Sequence, residues 1–158
     1  MPPPNPTHHR GHRSLRIGRV SMSGHVYHVT TATYLRQPLF AEFVSARIVI
    51  GRLNDPALLE GTELLAWVVM PDHVHLLLQL AEAGSLSRCV NRLKGAAARA
   101  LNLEFGRKGP VWQRSFHDHL LRQEEDLATV GRYIVANPLR AGLVRRLGEY
   151  PHWDAVWL

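Results

Sequence analysis

Hydrophobic residues recur along this chain at two spacings, which predict strands and helices in a regular order. Residues 26–33 and 64–70 are rich in β-branched or apolar side chains and predict strands. Residues 73–80 predict a third strand, because apolar residues occupy every second position. Residues 40–53 carry apolar side chains at near-helical spacing and predict a helix. The first half of the chain therefore runs strand, helix, strand, strand.

The second half continues with a longer helix and a further strand. Ser85 can cap a helix that runs to about Glu104, because five apolar residues form one stripe along it. These residues are Leu86, Val90, Leu93, Ala97 and Leu101. Gly109 and Pro110 then break the chain before a strand predicted over residues 111–121.

A last helix is predicted near the C-terminus from its acidic start and its apolar stripe. The acidic residues, which the helix dipole favours in a first turn, are Glu124, Glu125 and Asp126. The apolar residues are Leu127, Val130 and Ile134. This helix should end near Asn137, because Pro138 disfavours α geometry in the residue before it.

The predicted order matches the β-α-β-β-α-β split motif, an α+β fold with an antiparallel sheet and two helices on one face. The last helix is additional, and the other face of the sheet is left free to carry a site. The length of 158 residues fits one domain. We expect residues 1–20 to form an arm and residues 21–158 to form a single domain.

Composition narrows the class of protein. A content of 46% hydrophobic and 20% charged residues is typical of globular proteins. No apolar run approaches the roughly 20 residues that a membrane helix needs. The N-terminus has prolines, histidines and arginines where a signal peptide has its apolar segment. Cys89, the single cysteine, lies beside the apolar stripe of its helix and fits a reducing compartment, so we expect a cytoplasmic protein.

Positive charge is concentrated in the arm. Lys and Arg outnumber Asp and Glu by 19 to 13, and no acidic residue precedes Glu42. The arm contains Arg10, Arg13, Arg16 and Arg19. Such a segment suits a polyanion, most often nucleic acid, although a solvated tail that aids solubility would have the same charge. The second helix adds Arg88, Arg92 and Lys94, which are consistent with phosphate contact or with an ordinary solvated face.

The strand at residues 73–80 contains candidate metal ligands. Its apolar face, which must pack on the helices, consists of Val74, Leu76, Leu78 and Leu80. His73 and His75 then share the opposite face, with their Cα atoms roughly 7 Å apart, and can bind one metal ion. The alternative is a pair of half-exposed surface histidines. His117 and His119 have the same spacing but enclose a charged residue, so they rank below the first pair.

The last helix offers a nucleophile and a third ligand. Tyr133 and Asn137 lie one turn apart on the flank of the apolar stripe. An amide oxygen suits a hard cation, and a phenol beside a cation can act as a nucleophile. Alternatively, Tyr133 is a boundary aromatic residue and Asn137 an ordinary residue at a helix end. No Gly-rich phosphate loop, G-x-S-x-G or His-Glu-x-x-His motif offers another catalytic set.

Three segments resemble a known family. Residues 70–77, Met-Pro-Asp-His-Val-His-Leu-Leu, resemble the His-hydrophobic-His motif of the HUH single-tyrosine transposases. Residues 111–119 and 133–144, in this order and spacing, are similar to the REP-associated tyrosine transposases of that group. The resemblance extends from about Tyr27 to Val144.

The resemblance implies a ferredoxin-like fold, Mg²⁺ or Mn²⁺, and single-stranded DNA beside a hairpin, with the basic arm on the hairpin. It implies that Tyr133 attacks a phosphodiester to form a 5′-phosphotyrosine, with His73, His75 and Asn137 as metal ligands. Many relatives outside the REP-associated branch carry Gln where this chain has Asn137. Two alternatives stay open: a metal-dependent nuclease that uses water, and a non-catalytic hairpin-binding protein. The protein could act as a monomer or a homodimer.

Overall fold

An antiparallel sheet forms the centre of the computed structural model, which describes residues 24–122 and 125–158. Its strands are β1 (Val26–Ala32), β2 (Glu63–Met70), β3 (His73–Gln79), β4 (His117–Leu120) and β5 (Trp153–Ala155). They lie in the order β4-β1-β3-β2-β5. The helices are α1 (Phe43–Leu53), α2 (Pro56–Leu59), α3 (Leu86–Phe105), α4 (Leu127–Val135) and α5 (Asn137–Arg140). Single 3₁₀ turns lie at Tyr34–Arg36, Leu39–Ala41 and Leu147–Glu149.

The predicted α+β fold is confirmed. Strands β1 to β4, with α1 and α3 between them, form the β-α-β-β-α-β arrangement, and both helices pack on the same face. The alternation in β3 places Val74, Leu76 and Leu78 in the core under these helices. Ser85 caps α3 as expected, because its side chain accepts a hydrogen bond from the backbone N–H of Arg88.

The second face of the sheet is not free throughout, contrary to the expectation. Helix α4 packs over β2 and β5, and Ile134 and Val135 of α4 join a second apolar cluster there. Leu77 shares this face of β3 with the histidines and is fully buried in that cluster. Only the half of the face formed by β1, β3 and β4 is left for polar side chains, and this half contains the candidate site.

The strand predicted over residues 111–121 is confirmed only in part, since the segment forms β4 and, before it, an isolated antiparallel bridge between Trp112 and Thr33. Residues 111–116 instead run beside α3, where the ammonium of Lys94 donates to the carbonyls of Gln113 (2.8 Å) and Ser115 (3.5 Å). The Trp112 indole N–H donates to the carbonyl of Lys94 at 2.9 Å. The side chain of Lys94 thus satisfies two backbone carbonyls of the segment, while the Gln113 N–H donates to the carbonyl of Ala32 at the end of β1 at 3.0 Å.

The start of the last helix differs slightly from the prediction. Asp126 is the N-cap of α4 and its side chain accepts a hydrogen bond from the Thr129 N–H, whereas it was expected within the first turn. Glu125 lies before the helix and bonds His119 at 3.2 Å. Glu124 lies outside the described residues.

The end of this helix contains a break. Helix α4 ends at Val135, and Asn137 begins α5 rather than ending α4. Pro138 has no N–H to donate to the carbonyl of Ile134 four residues earlier. The side-chain amide of Asn137 donates to that carbonyl instead, at 2.7 Å. A side chain thus substitutes for the missing backbone donor.

Strand β5 was not predicted from the sequence. It pairs with β2 through Ala155 and Ala66, Asp154 and Trp67, and Trp153 and Val68. At three residues it is too short for a periodic signal. Within the described ranges, no helix has both the length and the apolar character required to cross a membrane.

Candidate active site

Polar side chains line the part of the second sheet face that α4 leaves open. The strand register places His117 of β4 beside Thr30 of β1, and Thr30 beside His75 of β3. His119 and His28 form a neighbouring pair on the same face. Because directly paired residues point to the same side of a sheet, one surface contains histidines from three strands.

His73 is held by a carboxylate. Its Nδ1 donates to the Oδ1 atom of Asp72 at 2.6 Å, and the other carboxylate oxygen of Asp72 lies 3.6 Å from Arg36 Nε. A ring that donates from Nδ1 keeps the lone pair of Nε2, the atom with which such histidines bind metals. Asp72 therefore gives His73 the tautomer that a metal ligand needs.

His75 is oriented through the same ring atom. Its Nδ1 lies 3.0 Å from Thr30 Oγ1 and 3.0 Å from His28 Nε2. Burial and, to a lesser extent, the nearby charges of His73, His28, Arg140 and Arg36 together lower the pKa of His75 to about 3. The neutral ring that results is the form that binds metal ions.

The rings of His73 and His75 lie side by side on the open part of the sheet face. The ring centroids of His73 and His75 lie 4.9 Å apart, and the ring planes are at 82°. In both of these rings, the hydrogen bonds described above involve Nδ1 and not Nε2. Within residues 24–122 and 125–158, no three His, Cys, Asp or Glu side chains group to hold a metal. Among the described residues, a further protein ligand would be of another type, such as an amide.

Tyr133 projects from α4 with its ring exposed and in contact with Arg140. It is 61% exposed, and the guanidinium carbon of Arg140 lies 3.8 Å from the centroid of its ring. Arg140 also acts electrostatically on His75, so the guanidinium that contacts the Tyr133 ring lies within electrostatic range of one of the two histidines. The sequence expectation that Tyr133 lies near the histidines fits this arrangement.

The other tyrosines differ in accessibility. Tyr27 is buried in the core, and Tyr150 donates its hydroxyl proton to the carbonyl of Val69 at 2.6 Å. Burial raises the pKa of Tyr150 to about 12, which disfavours its phenolate. Tyr34, at 43% exposure, is the accessible alternative to Tyr133.

Asn137 lies one turn after Tyr133 but across the helix break. Because a carbonyl only accepts hydrogen bonds, the amide group that faces Ile134 must be the NH₂ group. The amide oxygen then points elsewhere and remains able to bind a cation. Both interpretations of Asn137, a helix-end residue and a metal ligand, are compatible with this geometry.

The expected DNA-binding residues have different surroundings. Arg88 is exposed on α3, whereas Arg92 bonds the carbonyl of Leu58 at 2.9 Å and lies 3.3 Å from Glu60. The surroundings of Lys94 disfavour the expected phosphate contact, because this residue is only 8% exposed and its ammonium donates to carbonyls of residues 113 and 115. The four arginines of the arm, Arg10, Arg13, Arg16 and Arg19, lie outside the described residues.

The second histidine pair lies on an edge strand. His117 and His119 of β4 are both exposed, and His119 bonds Glu125 rather than a second histidine of its strand. Burial and then the charge of His119 lower the pKa of His28, which places the second pair on the border of the site.

Sequence reasoning missed several residues around the histidines. These are His28, Thr30, Arg36, Asp72 and Arg140. Asp72 immediately precedes His73, so its position gave a weak signal. Strand register brings His28 and Thr30 to the site, the 3₁₀ turn after β1 brings Arg36, and the turn after α4 brings Arg140. Their spacing along the chain contains no such signal.

Comparison with protein families gives one match over most of the chain. Residues 21–137 match the model of the family described as "Transposase IS200 like". The matched region includes the histidine pair, Tyr133 and Asn137.

Two curated relatives share part of the sequence. A REP-associated tyrosine transposase of Escherichia coli K12 is 30% identical over 90 residues, which are 56% of this chain and 52% of the relative. The ISDra2 transposase TnpA of Deinococcus radiodurans is 34% identical over 88 residues, which are 52% of this chain and 62% of the relative. The chain thus spans between half and two thirds of the length of these relatives.

A solved structure has the same fold. It is described as a REP-associated tyrosine transposase bound to a REP hairpin, and it superposes with a TM-score of 0.65 at 26% sequence identity. The superposition covers 85% of this chain and 79% of the other.

Proposed function

Because the chain belongs to the IS200-like transposase family, we propose that it is a tyrosine transposase that cuts and rejoins single-stranded DNA. The observation that carries the proposal is the position of Arg140, which lies 3.8 Å over the ring of Tyr133 and acts electrostatically on His75. An exposed phenol therefore contacts a guanidinium whose charge also reaches His75. This combination suits nucleophilic attack on a phosphodiester.

The histidine pair would hold Mg²⁺ or Mn²⁺. Members of this family are generally metal-dependent, and the free Nε2 atoms of His73 and His75 suit a divalent ion. The amide oxygen of Asn137 is the third proposed ligand. A bound divalent ion would polarise the scissile phosphate and offset the charge on the departing oxygen.

Tyr133 would supply the nucleophile. Its phenolic oxygen attacks the phosphorus, the bond between phosphorus and the 3′-oxygen breaks, and a 5′-phosphotyrosine forms. The phenol loses its proton and the departing 3′-oxygen gains one, so the step involves no oxidation or reduction. Because the phosphoester is kept rather than hydrolysed, a 3′-hydroxyl can reverse the attack and rejoin a strand.

The proposed DNA partner is a single strand beside a hairpin. The solved relative is described as bound to a REP hairpin, which supports this substrate class. Arg88 is exposed and free to approach phosphates, and Arg92 lies on the same helix with part of its guanidinium already bonded. We propose that these two residues act together with the arginines of the arm.

The test uses a labelled DNA library in which a fixed hairpin is flanked on both sides by randomised single strands. The protein is incubated with this library and Mn²⁺ or Mg²⁺, and products are separated on a denaturing gel. A covalent protein–DNA adduct supports the transposase, and mass spectrometry should locate the nucleotide on the peptide containing Tyr133. Free cut strands without an adduct would indicate a water-dependent nuclease, and intact strands a binding protein.

Matched tyrosine variants identify the nucleophile. Tyr133→Phe removes one exposed hydroxyl and keeps the ring, so we expect loss of the adduct with little change in hairpin affinity. Tyr34→Phe makes the same chemical change at the other accessible tyrosine and should leave the adduct intact. If the adduct survives in Tyr133→Phe, or disappears in Tyr34→Phe, the nucleophile is misassigned.

A further inference from the structure

Arg140 occupies a position that no step of the proposed function uses. It lies at the end of α5, its side chain is exposed, and its guanidinium carbon lies 3.8 Å from the centroid of the Tyr133 ring. A guanidinium at this distance over an aromatic face is attracted by the negative charge of the ring face. The contact therefore restrains the orientation of the Tyr133 side chain.

The backbone after α4 holds Arg140 in this position. Asn137 bonds the carbonyl of Ile134, and the carbonyl of Ala136 accepts the N–H groups of both Leu139 and Arg140. The chain thus makes one further turn directly after the break. The arginine returns to the face that bears Tyr133, seven residues earlier.

The two cations near His75 differ in their partners. Arg36 is paired with the carboxylate of Asp72 at 3.6 Å. Throughout the described part of the chain, no carboxylate forms an ion pair with Arg140. A guanidinium that stacks with its face keeps its N–H groups along the edge, and these suit a phosphate with two accessible oxygens.

We propose that Arg140 binds the scissile phosphodiester and aligns Tyr133 for attack on it. The guanidinium face stacks on the phenol ring while its N–H edge donates to the non-bridging phosphate oxygens. The inference rests on the proposed function and adds a substrate-binding residue to it. A lysine at this position would supply the charge without the planar stacking face.

The experiment measures DNA binding in a chain that cannot cleave. Tyr133→Phe keeps the ring, and the probe is the hairpin oligonucleotide selected from the library, with its scissile phosphate mapped by the wild-type adduct. A second probe has a neutral methylphosphonate at that phosphate. The affinity ratio of the two probes is measured first in Tyr133→Phe alone. It is then measured in two double variants, in which Arg140→Met or Arg145→Met is added to Tyr133→Phe. The last is the matched control, since Arg145 is also exposed and its loss changes the net charge equally.

We expect the neutral probe to bind more weakly than the normal probe. A roughly 10- to 100-fold part of this loss in affinity should come from Arg140, as for a hydrogen bond to a charged group. Arg140→Met should remove that part, and Arg145→Met should not. An affinity ratio that is unchanged by Arg140→Met would overturn the proposal. The binding measurement itself involves no cleavage, so its result tests only the role of Arg140. Absence of a wild-type adduct would instead contradict the proposed cleavage.

Alignment of the tyrosine has its own measurement. With Tyr133 intact, Arg140→Lys should retain most of the phosphate-dependent binding but form the adduct more slowly in a single turnover, because ring alignment is lost. Adduct formation at the wild-type rate by Arg140→Lys would refute the aligning role. Thermal unfolding of each variant should match the wild type, because Arg140 is exposed.

Discussion

Asp72 offers a test of how the proposed metal site is oriented. Its carboxylate accepts the Nδ1 proton of His73 at 2.6 Å, so the metal would have to bind Nε2. Asp72→Ala removes the acceptor and frees the ring to rotate or to change tautomer. We therefore expect weaker Mn²⁺ binding and slower adduct formation, with the fold intact.

The size of the effect follows from the two contacts of Asp72. The pair with Arg36 spans 3.6 Å between side chains that are 30% and 55% exposed, so it contributes at most about 1 kcal/mol. The shorter bond to His73 is the larger contribution, since a hydrogen bond to a charged group contributes about 1.5–3 kcal/mol. Loss of that bond should weaken Mn²⁺ binding by roughly 10- to 100-fold. Asp72→Asn keeps a neutral acceptor, so its Mn²⁺ affinity should fall by roughly 10-fold or less.

Calorimetric titration with Mn²⁺ checks these values on the folded chain. Arg36→Met is the control, because it removes the ion pair of Asp72 but leaves the bond to His73. It should change Mn²⁺ affinity less than Asp72→Ala does. The direction of the change in Mn²⁺ affinity is also informative. A metal bound through Nδ1 of His73 would compete with Asp72 for that atom, and Asp72→Ala would then bind Mn²⁺ more tightly. Unchanged or tighter binding in Asp72→Ala refutes the reasoning.

Three further outcomes are expected. His75→Ala should abolish adduct formation while His117→Ala retains it, as measured on denaturing gels; the reverse result would assign the metal to the edge strand. Deletion of residues 1–20 should weaken hairpin binding and reduce the slope of log K against log[salt] by about 0.7 for each lost phosphate contact. An unchanged slope would indicate that the arm only aids solubility and does not contact phosphates. Lys94→Met should lower stability by about 1–3 kcal/mol, because the Gln113 carbonyl at 2.8 Å loses its donor. DNA affinity should stay the same, and a loss of affinity without a loss in thermal stability would restore Lys94 as a phosphate contact.

Local spacing was sufficient to predict the central fold. Alternation in β3 separates Val74 and Leu76, which face α1 and α3, from His73 and His75 on the opposite side. The separation needs no knowledge of the neighbouring strands, because the pleat alone sets it. The same reasoning failed for residues 111–116, because their backbone bonds a lysine ammonium from α3 and a sequence pattern does not reveal such a partner.

The extent of the open sheet face could not be predicted in this way. Leu77 points to the same side as the histidines, but it is covered by α4. Whether that face is exposed to solvent depends on the position of α4, which begins 50 residues later. The stripe of Leu127, Val130 and Ile134 shows only that α4 must bury one side. The candidate site is therefore smaller than the sequence indicated, with His28 and Thr30 added by strand register.

The break after α4 links the proposed ligand, the nucleophile and Arg140 in one local feature. Pro138 indicates from sequence where α4 must end, but not where the chain goes next. The amide of Asn137 replaces the missing donor at the Ile134 carbonyl, and α5 follows directly from this residue. A glutamine there would place its amide one bond further from that carbonyl. The asparagine in this chain therefore fits the break, keeps its amide oxygen available for a cation, and starts the turn that brings Arg140 over Tyr133.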